Sequence, residues 1–416
     1  MDTARLDQAL VSHDLYANPE KAYEVFRQLH AEDPLHWTDP KGHHPFWAVT
    51  KHADLAEVGR RNVVFLSSVQ AFLQDDEEMA LTMAASGKKT APIRTIITMD
   101  GDEHKAYRGI LQGYFIPANI RTRLPQLQDC ARKLVDKMEA LGGECDFVKD
   151  IAVYYPLLFI TTLMDLPEED HDKILRLTMR LMAPKDEQAG EGASIAAASK
   201  EFGAYFAGVV ADRRANPTED LASLIANAEV NGEPIGVMEA VSYYIVLATA
   251  GHDTTSSTLS CGIHQLLKHP DQFAELRANP KAVPLAVEEM FRFASPVKHF
   301  VRTAAQDYEL RGKTIREGDA LALFFHFANF DPEVYEDPYA FRINRAPNRH
   351  IAFGMGAHSC LGQHLARLVI PTFLTEFNER VESIELAGDP KYVASNRISG
   401  LSSLPVRYRF RQKAAA

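Results

Sequence analysis

The residues best suited to carry chemistry lie in a glycine-rich stretch, Phe353-Gly354-Met355-Gly356-Ala357-His358-Ser359-Cys360-Leu361-Gly362. The residues from Gln363 onward have the pattern of a helix, which places Cys360 at or just before a helix N-terminus. Unpaired N–H groups and the helix dipole favour an anion there, so the sulfur is suited to be a thiolate that binds a metal. The glycines permit close approach of the main chain to a flat ligand, and Phe353 could shield the sulfur. Taken alone, a single cysteine is more often an ordinary buried thiol.

The pattern Phe-x-x-Gly-x-His-x-Cys-x-Gly within residues 353–362 resembles the haem-ligand loop of the cytochrome P450 family. The resemblance covers nearly the whole chain and implies the cytochrome P450 fold, which is mainly α with small β-sheets (α+β), in a single haem-enclosing domain spanning residues 1–416. It also implies a haem b cofactor (iron protoporphyrin IX) with the Cys360 thiolate as axial ligand. Local stretches are similar to the bacterial branch that includes the α-terpineol monooxygenase: residues 143–147, 153–157, 248–255 and 347–350.

The longest predicted helix runs from about Pro234 to Lys268, and residues 250–257 in its middle are poor helix formers. Two interpretations stand at this point: hydroxyls that bond back to preceding carbonyls in a surface helix, or a functional distortion. The segment resembles the part of the family's helix that crosses the distal face of the haem. The resemblance implies that Gly251 leaves room for dioxygen, while Asp253 and Thr254 form the catalytic pair that delivers protons.

A haem carries two propionates, which need cationic or hydrogen-bonding partners. The resemblance assigns this role to His104 and Arg108, which are one helical turn apart, and to Arg302 and His358. His350 is a further candidate near the propionates. A solvated surface charge is the simpler interpretation of any one of them.

A Glu–Arg pair at i and i+3, Glu289 and Arg292, is most often an exposed helix pair. Here it resembles the family's Glu-x-x-Arg motif, with Arg345 as the third partner. The resemblance implies a structural role for this trio in holding the segment before the haem-ligand loop.

The resemblance implies a monooxygenase that inserts one atom of O2 into a C–H bond of a small hydrophobic substrate. The branch implies a monoterpene such as terpineol, or an alkylbenzene such as cymene; alternatives are a steroid or fatty-acid hydroxylase and a peroxide-driven peroxygenase. A haem sensor or carrier would not need Asp253 and Thr254. Residues of about 66–100 are predicted to form a loop covering the substrate. Further pocket residues follow by family analogy: Leu247, Ala250, Val297, Phe300 and Leu401.

No Gly-x-Gly-x-x-Gly follows a predicted strand, so electrons are expected from another protein. The branch implies a [2Fe–2S] ferredoxin served by a separate NAD(P)H-dependent reductase. Lys105 and Arg367 are the candidate docking residues on the proximal face.

Composition fits a large globular enzyme of 416 residues with 46% hydrophobic residues and a formal net charge of −11, which argues against nucleic-acid binding. Four widely spaced cysteines indicate no disulfide framework, and neither a signal peptide nor a long apolar run is evident. We therefore expect a cytoplasmic protein without a membrane anchor.

Periodicity predicts a helix over 20–32 and a strand pair at 34–37 and 46–49. Residues 184–194 are predicted to be a loop, and Pro371 is expected to kink or shorten the helix after Cys360. Further helices are predicted at about 102–115, 119–141, 149–165, 168–182, 196–214 and 219–227.

Overall fold

The computed structural model describes residues 1–86, 94–182 and 195–412. Within these residues the α-helices are α1 (Thr3–Val11), α2 (His13–Tyr16), α3 (Pro19–Glu32), α4 (His52–Arg60), α5 (Asp76–Ser86), α6 (Gly101–Gln112), α7 (Pro117–Arg121), α8 (Leu124–Ala140), α9 (Tyr154–Leu163), α10 (His171–Met182), α11 (Ile195–Ala215), α12 (Leu221–Ala226), α13 (Val237–Lys268), α14 (Pro270–Ala278), α15 (Val283–Ala294), α16 (Phe325–Ala328) and α17 (Gln363–Arg380). Short 3-10 and π turns are Ile96–Thr98, Phe147–Ala152, Glu168–Asp170, Pro280–Ala282 and Gly356–His358.

The strands of the described residues are β1 (Leu35–Thr38), β2 (Phe46–Val49), β3 (Phe65–Leu66), β4 (Glu144–Asp146), β5 (Glu229–Val230), β6 (Glu233–Pro234), β7 (His299–Ala304), β8 (Tyr308–Leu310), β9 (Lys313–Ile315), β10 (Ala320–Phe324), β11 (Val381–Leu386), β12 (Lys391–Tyr392), β13 (Leu401–Ser403) and β14 (Pro405–Phe410). The largest sheet has the order β1-β2-β10-β7-β3, in which only β2 and β10 are parallel. A three-stranded sheet has the order β11-β14-β4, and the remaining strands form two-stranded ribbons. The predicted fold class, mainly α with small sheets, is confirmed.

Helix α13 forms the centre of the helical layer and packs against α9, α11 and α15. Apolar residues on several of its sides, among them Ala240, Val241, Tyr244, Leu259 and Ile263, are at most 2% exposed. A helix that is apolar nearly all round is stable only when other elements surround it. The packing of these residues holds α13 in position and therefore also holds the polar stretch 250–257 in its middle.

The predicted elements agree with the structure in most places, and the differences have local causes. Helix α13 begins at Val237 and not at about 234, because Pro234 pairs with Glu229 in the ribbon of β5 and β6. The segment 66–100 is not wholly a loop: it contains α5, whose weak apolar periodicity hid it, and its residues 87–93 lie outside the described residues. The loop predicted at 184–194 lies outside them as well.

Helix α17 runs without a break through Pro371, so the expected shortening is wrong. Hydroxyl groups around the proline donate to nearby main-chain carbonyls: Thr372 to Leu368 at 2.8 Å and Tyr155 to Val369 at 2.9 Å. Hydrogen bonds of this kind, with close packing of neighbouring elements, can offset the backbone bond that a proline removes.

No described helix has both the length and the hydropathy that a membrane span requires.

Candidate active site

A central cavity separates the middle of α13 from the glycine-rich loop that precedes α17. Most of its wall is apolar, and both Cys360 and residues from the middle of α13 belong to it. Of the residues predicted from sequence, those that line the cavity are Gly251, Thr254, Phe353, His358, Cys360, Arg108, Arg302, Leu247, Ala250, Val297 and Phe300. His104, Asp253 and Leu401 are not part of this wall.

The loop is shaped by two glycines with positive φ, Gly354 at +67° and Gly356 at +71°. A Cβ atom at Gly356 would lie 2.0 Å from the carbonyl oxygen of Gly59, so only glycine fits this contact. The N–H of Cys360 donates to the carbonyl of Phe353 at 2.7 Å, which closes the loop. The cysteine is therefore held by backbone geometry and lies just before the start of α17.

Cys360 lines the cavity, and its accessible surface faces this internal space. Burial raises the pKa of its thiol, while the N–H of Gly362 and the guanidinium groups of Arg108 and Arg367 oppose that shift. These three groups all favour the thiolate. A positively charged metal at the sulfur would add to them and stabilise the thiolate further.

Arg367 is fixed on the far side of the loop. Its guanidinium lies 4.5 Å from the centre of the Phe353 ring, and its Nε and Nη2 donate to the carboxylate of Glu288 at 2.7 and 3.0 Å. His350 Nε2 is 2.9 Å from the same carboxylate, and His350 is not among the residues that line the cavity. Burial raises the pKa of Glu288, but His350 and Arg367 outweigh it and lower that pKa to about 2. Glu288 was not predicted, because its partners His350 and Arg367 are 62 and 79 residues away along the chain.

A cluster of basic groups lies at one edge of the cavity. The rings of His104 and His358 are 4.1 Å apart, and the Nε2 atom of each is buried without a hydrogen-bond partner within the described residues. Arg108 donates to the Ser359 carbonyl at 2.7 Å, and Arg302, only 6% exposed, donates to its neighbour's carbonyl. This cluster brings together all four residues predicted to hold the propionates.

One carboxylate, that of Asp100, accompanies this cluster and was not predicted. It accepts hydrogen bonds from the main-chain N–H groups of Ser67 and Ser68 and lies 3.7 Å from His358. Burial raises the pKa of Asp100, but these partners outweigh it and lower the pKa strongly. Burial and the nearby His358 and Arg108 lower the pKa of His104 to about 4. Within the described residues, the cluster therefore has two arginines and two histidines with a free Nε2 atom, but only one carboxylate. This excess of hydrogen-bond donors and positive charge suits a ligand with two carboxylates.

The polar middle of α13 is continuous α-helix, which favours the interpretation of hydroxyls that bond back to preceding carbonyls over that of a distortion. Thr254 Oγ1 donates to the carbonyl of Ala250 at 2.8 Å, and Thr249 and Thr258 bond back in the same way. A Cβ at Gly251 would be 3.6 Å from Ile160, an ordinary contact. Packing alone therefore does not require glycine there, and its absent side chain leaves room in the cavity.

Asp253 is 9% exposed and lies outside the cavity wall. The residue before it, His252, was missed by the sequence analysis: it is fully buried, and its Nε2 lies 2.7 Å from the Val153 carbonyl. Burial lowers the pKa of His252 to about 4, so it is neutral at pH 7. The contact joins α13 to the residue that precedes α9 and fixes the rotation of the helix that presents Thr254.

Leu401 is the predicted pocket residue that the structure places elsewhere. It is 4% exposed in the hydrophobic core and pairs with Tyr392 between β13 and β12. The prediction for Leu401 is therefore wrong, because the strand turns this side chain into the core.

The Glu289, Arg292 and Arg345 side chains meet in the interior. The Glu289 carboxylate accepts from Arg292 at 2.7 and 2.8 Å and from Arg345 at 3.1 Å. Arg292 also donates to the carbonyls of Asn329 and Pro338. The trio thus ties α15 to the irregular segment that leads to the cysteine loop.

Comparison with known proteins agrees with this arrangement. The family model described as Cytochrome P450 matches residues 195–391. Cytochrome P450-terp from Pseudomonas sp is 38% identical and the alignment covers 94% of this chain and 95% of that protein, while a steroid C26-monooxygenase from Mycolicibacterium smegmatis is 32% identical over 94% and 92%. The crystal structure of CYP108D1 from Novosphingobium aromaticivorans superposes with a TM-score of 0.92 at 36% identity and covers 98% of this chain and 99% of that one. The chain therefore belongs to the cytochrome P450 family, as a monooxygenase of a hydrophobic substrate whose cofactor is a haem b held by a cysteine thiolate.

Proposed function

We propose that this chain hydroxylates a small monoterpene or alkylbenzene, with Cys360 as the haem ligand and with electrons from a [2Fe–2S] ferredoxin served by a separate NAD(P)H-dependent reductase. The observation that carries the proposal is that Cys360 and Thr254 line the same apolar cavity. The chemistry that bound haem b supplies is the activation of dioxygen for insertion of one oxygen atom into a C–H bond.

The cofactor fits the donor set of the cavity. Cys360 Sγ would bind the iron, and the His104 and His358 Nε2 atoms that lack partners would hydrogen-bond the propionates. Arg108 and Arg302 would supply the positive charge that two carboxylates need. Phe353 lines the cavity with Arg367 packed on its ring, and it would shield the sulfur from water.

The residues of α13 would manage protons on the opposite side. Thr254 Oγ1 already donates its proton to the Ala250 carbonyl, so its oxygen is free to accept a hydrogen bond from water in the cavity. Gly251 leaves the space that this water and dioxygen need. Asp253, buried behind the wall, would relay protons to that water from the far side of the helix.

The substrate is held by apolar contact. Leu247 and Ala250 line the cavity from α13, and Val297 and Phe300 line it from the region of β7. These side chains offer no hydrogen-bonding groups, which favours a substrate with few polar atoms. The name of the Pseudomonas relative supports a terpene, whereas the mycobacterial relative's supports a steroid.

A binding titration separates these substrate classes. Terpineol, cymene, a steroid and a fatty acid are added in turn to the ferric holoenzyme, and the shift of the Soret band toward the high-spin form is recorded. We expect saturable shifts with terpineol or cymene. A response to the steroid or the fatty acid alone would overturn the substrate assignment and leave the cofactor site intact.

The electron source is tested by product formation with ferredoxin and reductase, compared with hydrogen peroxide alone. We expect ferredoxin to support faster turnover, because the Asp253–Thr254 pair would serve to deliver protons to dioxygen. Turnover with peroxide alone at an equal or higher rate would favour the peroxygenase alternative.

A further inference from the structure

A second cavity, of about 50 Å³, lies beside the C-terminal half of α13 and shares no lining residue with the central one. Its wall includes Lys298, Cys261, His264, His326 and Tyr392. No aspartate or glutamate contributes to this wall in the part of the chain that the structure describes. The cavity, called the side cavity below, is thus rich in hydrogen-bond donors and lacks negative charge.

Among the described residues, Lys298 is the only lysine or arginine of the side cavity wall, and it is 2% exposed. Its ammonium donates to the Ile398 carbonyl and lies 4.9 Å from the centre of the Tyr16 ring. Across residues 1–86, 94–182 and 195–412, no carboxylate forms an ion pair with it, and Ile398 is the one acceptor of a hydrogen bond from its ammonium. An ammonium has three N–H donors, so two remain for a ligand or water in the adjoining space.

We propose that the side cavity binds a small monovalent anion, of the size of chloride, bromide or formate, at the ammonium of Lys298. A buried ammonium that forms no ion pair with a carboxylate is costly, and an anion beside it reduces that cost. The space suits such an ion, since about 50 Å³ holds only a few water-sized molecules. A larger carboxylate metabolite would not fit.

The neighbouring groups favour the same ligand. His264 Nδ1 lies 3.4 Å from Tyr392 Oη and His326 Nδ1 lies 3.0 Å from Ser399 Oγ, and neither ring's Nε2 has a partner within the described residues. Burial lowers the pKa of His264 to about 4, so this ring is neutral at pH 7 and can donate one N–H.

Protonation of Lys298 should control the affinity. Burial lowers its pKa to about 7, against the opposing influence of Cys261 and Asp253. The other titratable groups that face it keep their state between pH 6 and 8. His264 and His326 stay neutral because burial lowers their pKa, and the Cys261 thiol and the hydroxyls of Tyr16, Tyr23 and Tyr392 stay neutral because burial raises theirs. Glu20 is the nearby carboxylate that influences Tyr23 and Tyr392, but it is exposed and outside the wall.

The test uses bromide on the full-length holoenzyme. Crystals equilibrated in bromide are examined by anomalous diffraction, and bromide affinity is measured by thermal unfolding at constant ionic strength. We expect one bromide beside Lys298 and an affinity that is constant below pH 7 and falls about tenfold per pH unit well above it. Neither readout involves substrate turnover, so the result is independent of the proposed function.

Two variants complete the test. Lys298→Met removes the charge at similar length and should weaken bromide binding at least about tenfold, while Lys281→Met, at an exposed lysine elsewhere, should not change it. Bromide that binds equally well to Lys298→Met would be an adventitious ion only and would overturn the proposal. Water alone in the side cavity of the wild-type protein would also overturn it, and this measurement decides the matter if the Met variant does not fold.

Discussion

Replacing Glu289 by glutamine would remove the negative charge from a cluster of buried ionised side chains. The side chains of Glu289 and Arg292 are 0% exposed and that of Arg345 is 7% exposed. The Glu289 carboxylate also accepts from the main-chain N–H of Arg342 at 3.0 Å and from Asn348 at 3.0 Å. Glutamine keeps the shape of the side chain but removes the negative charge and turns an N–H₂ group toward two guanidinium groups.

The expected loss follows from the burial. Breaking one partner of a buried ion pair costs about 3–5 kcal/mol, because the remaining charge stays buried. The entropy of unfolding is roughly 2.1 cal/mol/K per residue, which gives about 0.9 kcal/mol/K for 416 residues. The midpoint of thermal unfolding should therefore fall by about 3–6 °C.

The assay is thermal unfolding of the holoenzyme followed by circular dichroism at one scan rate, together with haem content from absorbance. Because the trio holds the segment before the Cys360 loop, we expect haem to be lost below the global unfolding temperature of the variant. Asp102→Asn is the matched control: Asp102 and Lys105 form an i,i+3 pair at 2.8 Å with side chains 98% and 75% exposed, and its loss should not be detectable. A midpoint for Glu289→Gln within about 1 °C of the wild type, with full haem content, would refute the reasoning.

Three further variants test the site. Thr254→Ala should keep electron consumption running while product falls and hydrogen peroxide rises, whereas Thr249→Ala, which removes a similar back-bonded hydroxyl outside the cavity wall, should leave the coupling unchanged. Gly356→Ala should sharply lower haem content because its Cβ has no space, whereas Gly232→Ala, with a similar positive φ but open surroundings, should cost only stability. Lys105→Glu should raise the apparent KM for ferredoxin with strong salt dependence, since its side chain is largely exposed; an unchanged KM would remove it from the docking surface.

Arg367 is a poorer test of ferredoxin docking than its position in the sequence suggested. Its guanidinium is half-buried, pairs with Glu288 and influences the pKa of Cys360, whereas the pair that Lys105 forms with Asp102 is exposed. Reversal of this charge would change the haem environment and the surface together, so only Lys105 reports on docking alone.

The sequence predicted those parts of the fold that depend on local pattern. The strand pair β1 and β2, the helix α3 and the long α13 follow from periodicity, because each buries one face or all faces in a regular way. The glycine-rich loop was predictable for a different reason: only a few residue types fit its positive φ angles and its contact with Gly59.

Long-range contacts set the rest, and no local pattern contains them. His350 meets Glu288 across 62 residues, and Asp100 accepts the N–H groups of Ser67 and Ser68 in preference to capping α6. The direction in which the Leu401 side chain faces likewise depends on the pairing of β13 with β12, which the local sequence does not contain.

The edge of the cavity that carries His104, Arg108, Arg302 and His358 shows how the cofactor and the fold depend on each other. Without a dianionic ligand, the Nε2 atoms of His104 and His358 are buried without a hydrogen-bond partner among the described residues. Burial and repulsion from His358 and Arg108 then lower the pKa of His104 to about 4. Two carboxylates at this edge would reverse each of these costs: they would accept the unused hydrogen bonds and raise the histidine pKa values toward their ordinary range. A ligand that binds only the folded state adds its binding free energy to stability. The residues that destabilise the protein without haem are therefore the same ones that make the loaded protein stable, and haem loss and unfolding should be coupled in every variant of this cluster.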